Sequence, residues 1–201
     1  MTQGVPRFRQ TVTGLPENVV LNADGGMRYF IVEKGNIMEI RHLTPDDDLL
    51  QVSSVYEQSW KHAYKGIIPQ TYLDSIPAGR WANSINKPDM NNLVLEDNGV
   101  IVGTSCYCAS RWEKFAEYGE IVSVYLLPEY TGKGYGRKLV ERAVSELNLS
   151  GFEKVLMWVL EENTNARRFY EHLGFKNSGE VLNDNIGGKD LREIMYTRTA
   201  Y

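Results

Sequence analysis

The stretch Ser123–Val140 reads "SVYLLPEYTGKGYGRKLV" and places three glycines, at alternate positions, between an apolar run and an amphipathic run. The apolar run predicts a buried strand, and the apolar positions after the glycines recur at helical spacing. A strand, a glycine-rich turn and a helix start form an anion site, because unpaired N–H groups and the helix dipole favour negative charge. Glycines let a phosphate approach the backbone closely. The stretch therefore predicts a phosphate-binding turn, with Lys133 and Arg137 adding positive charge at its rim.

Two well-known phosphate-binding motifs fit this turn poorly. The P-loop G-x-x-x-x-G-K-[ST] is absent, since no Ser or Thr follows a Gly-Lys pair. The dinucleotide motif G-x-G-x-x-G fits Gly132 and Gly134 but meets Arg137 where its third glycine is needed. The turn also follows a predicted hairpin, whereas a dinucleotide fold repeats parallel strand–helix–strand units. A Rossmann-type oxidoreductase stays open as an alternative.

The order of predicted elements indicates one α/β domain with a mixed sheet. From Met38 onward the pattern gives a strand, two helices, three strands, a helix, a strand, a helix and one or two strands. Thr44 and Pro45 predict the start of the first helix, with the following aspartates in its first turn. The turn Asp97-Asn98-Gly99 between two apolar runs predicts a hairpin.

The first 37 of the 201 residues differ from the rest of the chain. They are polar, interrupted by Gly and Pro, and without helical periodicity, although "MRYFIVEKGN" fits one short strand. We expect residues 1–37 to form an extension and residues 38–201 to form the domain. A loose arm, an added strand and an interface element all remain open for the extension.

Composition narrows the classes of partner. The net charge of −4 argues against a nucleic-acid protein, which usually carries a basic face. No apolar run is long enough to cross a membrane, and the first 30 residues lack the apolar centre of a signal peptide. Cys106 and Cys108 are expected to be reduced thiols, and the three histidines are scattered, so no metal site is expected. We expect a cytoplasmic protein without nucleic-acid or membrane partners, and a homodimer remains open.

A second motif follows the glycine turn, after the predicted helix and the next predicted strand. The stretch Asn163–Phe175 reads "NTNARRFYEHLGF" and fits the pattern N-x-x-A-x-x-F-Y-x-x-x-G-F. The glycine turn fits [RQ]-x-x-G-x-[GA] over Thr131–Gly136, except that Thr131 stands where Arg or Gln is usual. Together the two motifs make the chain from about Met38 to Arg198 resemble the GNAT N-acetyltransferases. The resemblance implies a single α/β domain whose mixed, mostly antiparallel sheet is flanked by helices.

The resemblance also implies a donor and a mode of binding. Acetyl-CoA would act as co-substrate, with its pantetheine arm between two strands that splay apart, Gly119–Leu127 and Lys154–Glu161. The implied donor-binding residues share a place at the end of the first strand, in the glycine turn or at the start of the last helix. They are Leu126, Thr131, Gly132, Lys133, Gly134, Tyr135, Gly136, Arg137 and Asn163.

The implied reaction is direct acetyl transfer to a primary amine of a small molecule or peptide. Glu120 matches the position of a base that takes the amine's proton, with a water chain as the alternative. Tyr170 matches the general acid that protonates the leaving thiolate. Aromatic residues of the helices and loops are expected to line the acceptor cleft or to pack the core, namely Trp60, Tyr64, Tyr72, Trp81 and Trp112. A non-catalytic acyl-CoA sensor would carry the same motifs and remains an alternative.

Overall fold

The computed structural model of the protein describes residues 19–21, 27–33 and 36–200. The described strands form one sheet in the order β1-β2-β3-β4-β5-β6-β7-β9-β8. Their bounds are β1 (Val19–Leu21), β2 (Met27–Glu33), β3 (Asn36–His42), β4 (Asn91–Asp97), β5 (Val100–Ala109), β6 (Gly119–Leu126), β7 (Lys154–Leu160), β8 (Lys176–Ile186) and β9 (Lys189–Thr199). The helices are α1 (Leu49–Ala63), α2 (Gln70–Ser75), α3 (Ala82–Ile85), α4 (Tyr135–Leu149) and α5 (Thr164–His172).

The sheet confirms the predicted fold class. Neighbouring strands are antiparallel throughout the described sheet except for β6 and β7, which run parallel. The predicted hairpin turn is also present, because Asn98 (φ 49°) and Gly99 (φ 81°) take the left-handed conformations that a tight hairpin requires. None of the helices in the described part of the chain is long and apolar enough to cross a membrane.

Helices cover both faces of the sheet. On one face, the apolar stripe of α4 packs against strand residues such as Leu93, Ile121 and Val155. On the other face, α1 packs against Val94 and Ile101. Alternate residues of a strand point to opposite faces, so Leu93 and Val94 serve different layers of the core. The result is one core cluster around α4 and smaller clusters under α1 and α2.

Helix α1 begins later than the sequence predicts. Thr44 does not cap it, because Arg41 holds the Asp47 carboxylate through two bonds of 2.6 and 2.8 Å and the Thr44 N–H donates to the same carboxylate. These contacts fold residues 44–47 into a turn. Asp48 then becomes the cap, accepting a hydrogen bond of 2.8 Å from the Leu50 N–H.

Strands β6 and β7 meet only briefly. Within the described part of the chain they pair at Gly119↔Val155 and at Glu120↔Leu156. The pairing of β6 with β5 also contains a register shift. Cys106 pairs with Ser123 and Tyr107 pairs with Ile121, so Val122 of β6 has no partner residue in β5. A bulge of this kind bends and twists a strand. Beyond Glu120 the two strands therefore separate and leave a wedge in the middle of the sheet.

Part of the predicted extension joins the sheet. Residues 27–33 form β2, which pairs with β3 along Tyr29↔Ile40 to Glu33↔Asn36. Ile31 of this strand is 4% exposed and belongs to the core under α4. The proposed boundary at Met38 stays a prediction, and residues 1–18 lie outside the described residues.

Two truncated chains test this boundary. We predict that a chain starting at Met38 folds and binds acetyl-CoA, but melts below a chain starting at Met27. Losing Ile31 from the core removes about 1.5–3 kcal/mol of burial, which lowers Tm by roughly 3–12 °C in a domain of this size. Differential scanning calorimetry of both chains measures the difference. Equal Tm values would show that β2 adds nothing, and an insoluble Met38 chain would move the boundary toward the N-terminus.

Candidate active site

The glycine turn forms an open cradle of backbone N–H groups. Helix α4 starts at Tyr135, directly after Gly134 at φ 84°, and Gly132 has φ 71°. Side chains are disfavoured at these angles, and a Cβ at either position would have no heavy atom within 4 Å. The Lys138 N–H donates to the Gly134 carbonyl at 3.3 Å. The first N–H groups of an α-helix have no intrahelical partner and can bind an anion. The cradle fits a phosphate group.

The side chains of the turn contribute unequally. Arg137 is exposed and forms no ion pair with a described residue, so it is available to an anion. Lys133 places its ammonium 5.3 Å from the centre of the Tyr130 ring. Thr131 donates its hydroxyl hydrogen to the Pro128 carbonyl at 2.7 Å and so closes the turn. Tyr135 is 7% exposed in the core, which leaves its backbone as the part that faces the turn.

The third glycine has a different role. A Cβ at Gly136 would lie 3.3 Å from the Phe169 ring and 3.6 Å from Leu126. A Cβ there would press on the tip of the Phe169 ring, which would have to move by a few tenths of an ångström. Gly136 thus lets the first turn of α4 approach both the end of β6 and helix α5. Leu126 is anchored on the opposite side of the sheet, where its carbonyl accepts a hydrogen bond from the Ser59 hydroxyl of α1.

The wedge between β6 and β7 is the mouth of a cavity of about 950 Å³. The glycine turn closes one end, β6 and β7 form its sides, and α1 and α5 complete the wall. Most of the predicted site residues line this cavity: Leu126, Thr131, Gly132, Gly134, Gly136, Arg137, Asn163 and Tyr170. Lys133, Tyr135 and Glu120 are not among the lining residues.

Asn163 caps helix α5 at the edge of the cavity. Its side-chain oxygen accepts a hydrogen bond of 3.1 Å from the Ala166 N–H. The capping bond fixes the side chain and leaves its NH₂ group as a donor toward the cavity. Asn163 therefore positions the start of α5 and still has the capacity to contact a ligand.

Tyr170 presents a phenol to the cavity. Its ring packs against Phe169 and Phe175, with centroid distances of 5.0 and 6.0 Å. Its hydroxyl makes no hydrogen bond to a described residue. Burial raises the pKa of Tyr170 well above its ordinary value, and the neighbouring Tyr125 adds to the shift. The phenol thus keeps its proton at neutral pH and has that proton to donate.

Tyr125 is a site residue that was missed at the level of sequence, where its strand was assigned to the core. It lines the cavity, and its hydroxyl accepts a hydrogen bond of 3.0 Å from the Trp60 indole. Its ring lies 4.8 Å from that of Tyr56 on α1. Burial raises the pKa of Tyr125, so this phenol also stays protonated. Successive side chains of a strand point to opposite faces of the sheet, so Tyr125 and Val124 must lie on different faces. This alternation is the signal in the sequence that separates Tyr125 from its neighbour.

Glu120 is buried, at 1% exposure, against Arg111. Its Oε1 accepts from Arg111 Nη2 at 2.6 Å, and its Oε2 accepts from Arg111 Nε at 3.1 Å and from the Arg111 backbone N–H at 3.0 Å. The carboxylate is therefore held by a single arginine through three bonds. Its predicted role as the base stays a prediction.

The expected aromatic wall divides into two groups. Trp60 packs between Tyr64 and Trp81, with centroid distances of 5.0 and 5.4 Å. Trp112 lies apart from them and packs 5.2 Å from Trp158, a cavity-lining residue of β7. The first group joins α1 to the loop before α3, and the second covers the sheet beside the wedge.

Comparisons with known proteins agree with this geometry. A model of the Acetyltransferase (GNAT) family matches residues 52–175. The chain belongs to the GNAT family. It is an acyltransferase of the N-acetyltransferase kind, as the names of its relatives indicate. The N-acetyltransferase YuaI of Bacillus subtilis is 27% identical over 74% of this chain and 86% of its own length. The spermidine N(1)-acetyltransferase of Thermoplasma acidophilum is 28% identical over 79% of this chain and 98% of its own length.

Solved GNAT structures share the fold. The PaiA N-acetyltransferase from Thermoplasma acidophilum, in complex with coenzyme A, superposes with a TM-score of 0.62 at 24% identity. It covers 81% of this chain and 98% of its own. YncA from Salmonella typhimurium, with acetyl-CoA, gives a TM-score of 0.61 at 23% identity over 82% of this chain and 94% of its own. The expectation that no metal takes part stays a prediction.

Substitution of Gly134 tests the cradle. We predict that Gly134→Glu lowers the affinity for coenzyme A at least tenfold relative to Gly134→Ala, about 1.4 kcal/mol. Both variants bear the cost of a side chain at positive φ, about 1–2 kcal/mol, but only the glutamate brings a negative charge against the phosphate. Isothermal titration calorimetry measures both affinities. If the two variants bind coenzyme A with equal affinity, the glycine turn does not contact the phosphates of coenzyme A.

Proposed function

We propose that the protein is an acetyl-CoA-dependent N-acetyltransferase that moves the acetyl group directly to a primary amine of a small molecule or peptide in the cytoplasm. One observation carries the proposal. A single cavity brings together the anion cradle at the start of α4, the wedge between β6 and β7, and the free hydroxyl of Tyr170. Each part matches one portion of the donor: pyrophosphate, pantetheine arm and thioester.

The donor would bind from the glycine turn inward. The pyrophosphate accepts hydrogen bonds from the first turn of α4, with Arg137 neutralising part of its charge. The pantetheine arm lies along β6, whose residues beyond Glu120 have no described partner on the β7 side. An extended amide chain can pair with such an edge as an added strand. Two structural neighbours are described with coenzyme A or acetyl-CoA bound, which supports this donor.

The transfer step needs an oxyanion stabiliser and a proton donor. The bulge at Val122 lies in the cavity wall and leaves backbone groups of β6 unpaired, and a backbone N–H aimed there stabilises the charge that develops on the thioester oxygen. Tyr170 then protonates the departing thiolate, because its hydroxyl faces the cavity and keeps its proton at neutral pH. A dinucleotide oxidoreductase is not supported, since its repeated parallel units are absent from the described sheet.

Replacing Tyr170 tests the proton donor. We expect Tyr170→Phe to lower kcat by roughly 10²-fold or more, the usual loss for a positioned acid, while binding of acetyl-CoA barely changes because the ring remains. Tyr118→Phe is the matched control, since Tyr118 packs against Phe115 outside the cavity. Stopped-flow detection of free thiol measures the chemical step. If Tyr170→Phe turns over at the wild-type rate, Tyr170 has only a packing role and water is the proton donor.

A panel of amines tests the function as a whole. Polyamines, amino acids and an N-terminal peptide are incubated with acetyl-CoA, and free thiol is followed with time. We expect turnover with at least one class of primary amine and none with the matching tertiary amine. If acetyl-CoA binds but no amine is acetylated, the protein is an acyl-CoA sensor and the proposal of catalysis is wrong.

A further inference from the structure

Glu193 of β9 lies on one face of the sheet, next to strand β7, which borders the cavity. It lies directly opposite Leu160 of β7, and Trp158 of β7 is its diagonal neighbour on that face. Both Leu160 and Trp158 line the cavity. The adjacent pair Val159 and Ile194 points to the other face, into the core under α4. Strand alternation therefore directs the Glu193 side chain to the same face as Leu160 and Trp158, while Met157 and Val159 of the other face also line the cavity.

Charged and titratable groups from several elements face Glu193. The charge of Glu193 contributes to raising the pKa of Tyr64, the residue that follows α1, and the pKa of Tyr125 in β6, and both tyrosines line the cavity. Asp184 of β8, Arg111 and Glu120 act on it in turn. Tyr125 also lies close to Tyr170. Tyr170 and Tyr125 line the cavity, and Glu193, which is not itself a lining residue, is paired with the lining residue Leu160.

The state of this carboxylate contrasts with that of Glu120. Glu193 is half-buried and makes no hydrogen bond or ion pair with a described residue. Burial raises its pKa above that of an ordinary glutamate, and repulsion from Asp184 adds to the effect. Glu120 instead accepts three bonds from Arg111, so both of its oxygens are already occupied. Of the two carboxylates, Glu193 is the one without a described hydrogen-bond partner.

A buried donor beside Glu193 also lacks a partner. The Trp158 indole N–H is buried and forms no hydrogen bond among the described residues. Buried polar groups are normally paired, so this indole N–H needs a hydrogen-bond acceptor that the described residues do not supply. The carboxylate of Glu193, for its part, suits an acceptor that carries an ammonium group.

We propose that Glu193 takes the proton from the acceptor's ammonium group, a role that rests on the acetyl transfer proposed above. The carboxylate removes one proton, and the free nitrogen lone pair forms the C–N bond to the thioester carbon. Collapse of the oxyanion breaks the C–S bond, and sulfur takes the proton of Tyr170. The phenolate regains a proton from the nitrogen of the new amide, and Glu193 releases its own proton to solvent. Glu120 stays bonded to Arg111 and takes no proton in this scheme.

The pH dependence of Glu193→Gln tests this role. In the wild type, kcat/KM should fall as pH drops through the pKa of Glu193, because the protonated carboxyl cannot accept a proton. In Glu193→Gln only amine that is already neutral can react. The rate should then drop about 10²-fold or more at neutral pH and rise about tenfold per pH unit toward the pKa of the amine, near 10 for an alkylamine. Glu193→Asp should have a lower kcat/KM than the wild type but should keep the decrease of kcat/KM at low pH (the low-pH limb of the profile).

Glu120→Gln and a binding measurement complete the experiment. Glu120→Gln should lower Tm, because it leaves Arg111 without its carboxylate, and should keep the low-pH limb. Glu193→Gln should not lower Tm, since it removes an unpaired, desolvated charge, and should bind coenzyme A as the wild type does. A low-pH limb that disappears in Glu120→Gln and stays in Glu193→Gln would overturn the assignment.

Two other outcomes are decisive. If Glu193→Gln raises KM for the amine and leaves kcat and the pH profile unchanged, Glu193 only anchors the ammonium and the proposal is wrong. If the wild type acetylates no amine while coenzyme A binds, the proposed function itself fails, and a proton acceptor has no reaction to serve. Turnover by the wild type therefore separates the two failures.

Discussion

The brief contact between β6 and β7 is the constraint on which the rest of the site depends. Two paired positions, at Gly119 and Glu120, hold the sheet together at its centre. Beyond them the backbone of β6 faces open space instead of a neighbouring strand. Because an unpaired strand edge is costly to bury without a partner, this arrangement is stable only beside solvent or a ligand that supplies hydrogen bonds. The cavity, its floor and its opening all follow from that divergence.

Helix α4 connects the two diverging strands and sets the position of the donor end. The chain leaves β6 at Leu126, passes through the glycine turn and returns through α4 to β7, so the helix starts where the wedge is open. Its apolar stripe is buried against the sheet. The positive end of the α4 dipole therefore points into the opening that the strands create. The connection from β6 through α4 to β7 thus provides both the positive potential for the phosphates and the cleft for the donor.

Local features of the site could be predicted from the sequence, and distant ones could not. The glycine turn and the cap at Asn163 depend on neighbours within a few residues, so their patterns predicted their structure. Tyr125 was assigned to the core because its role depends on α1, far away in the chain. No local pattern singles out Glu193, since its place beside β7 depends on β9 inserting next to β7 ahead of β8. The pairing of Glu120 with Arg111 depends likewise on the path of the chain between β5 and β6.

The contact between Gly136 and Phe169 links the two sequence motifs by which the family is recognised. The glycine of one motif leaves room for the ring of the other, with 3.3 Å between a virtual Cβ and that ring. A residue larger than alanine at 136 needs more room from the side chain at 169, and a large displacement of that side chain would be passed on to Tyr170 next to it. The two positions should therefore covary among homologues. The spacing of the two motifs along the chain then reflects two constraints, the steric fit between α4 and α5 and the binding of a common ligand.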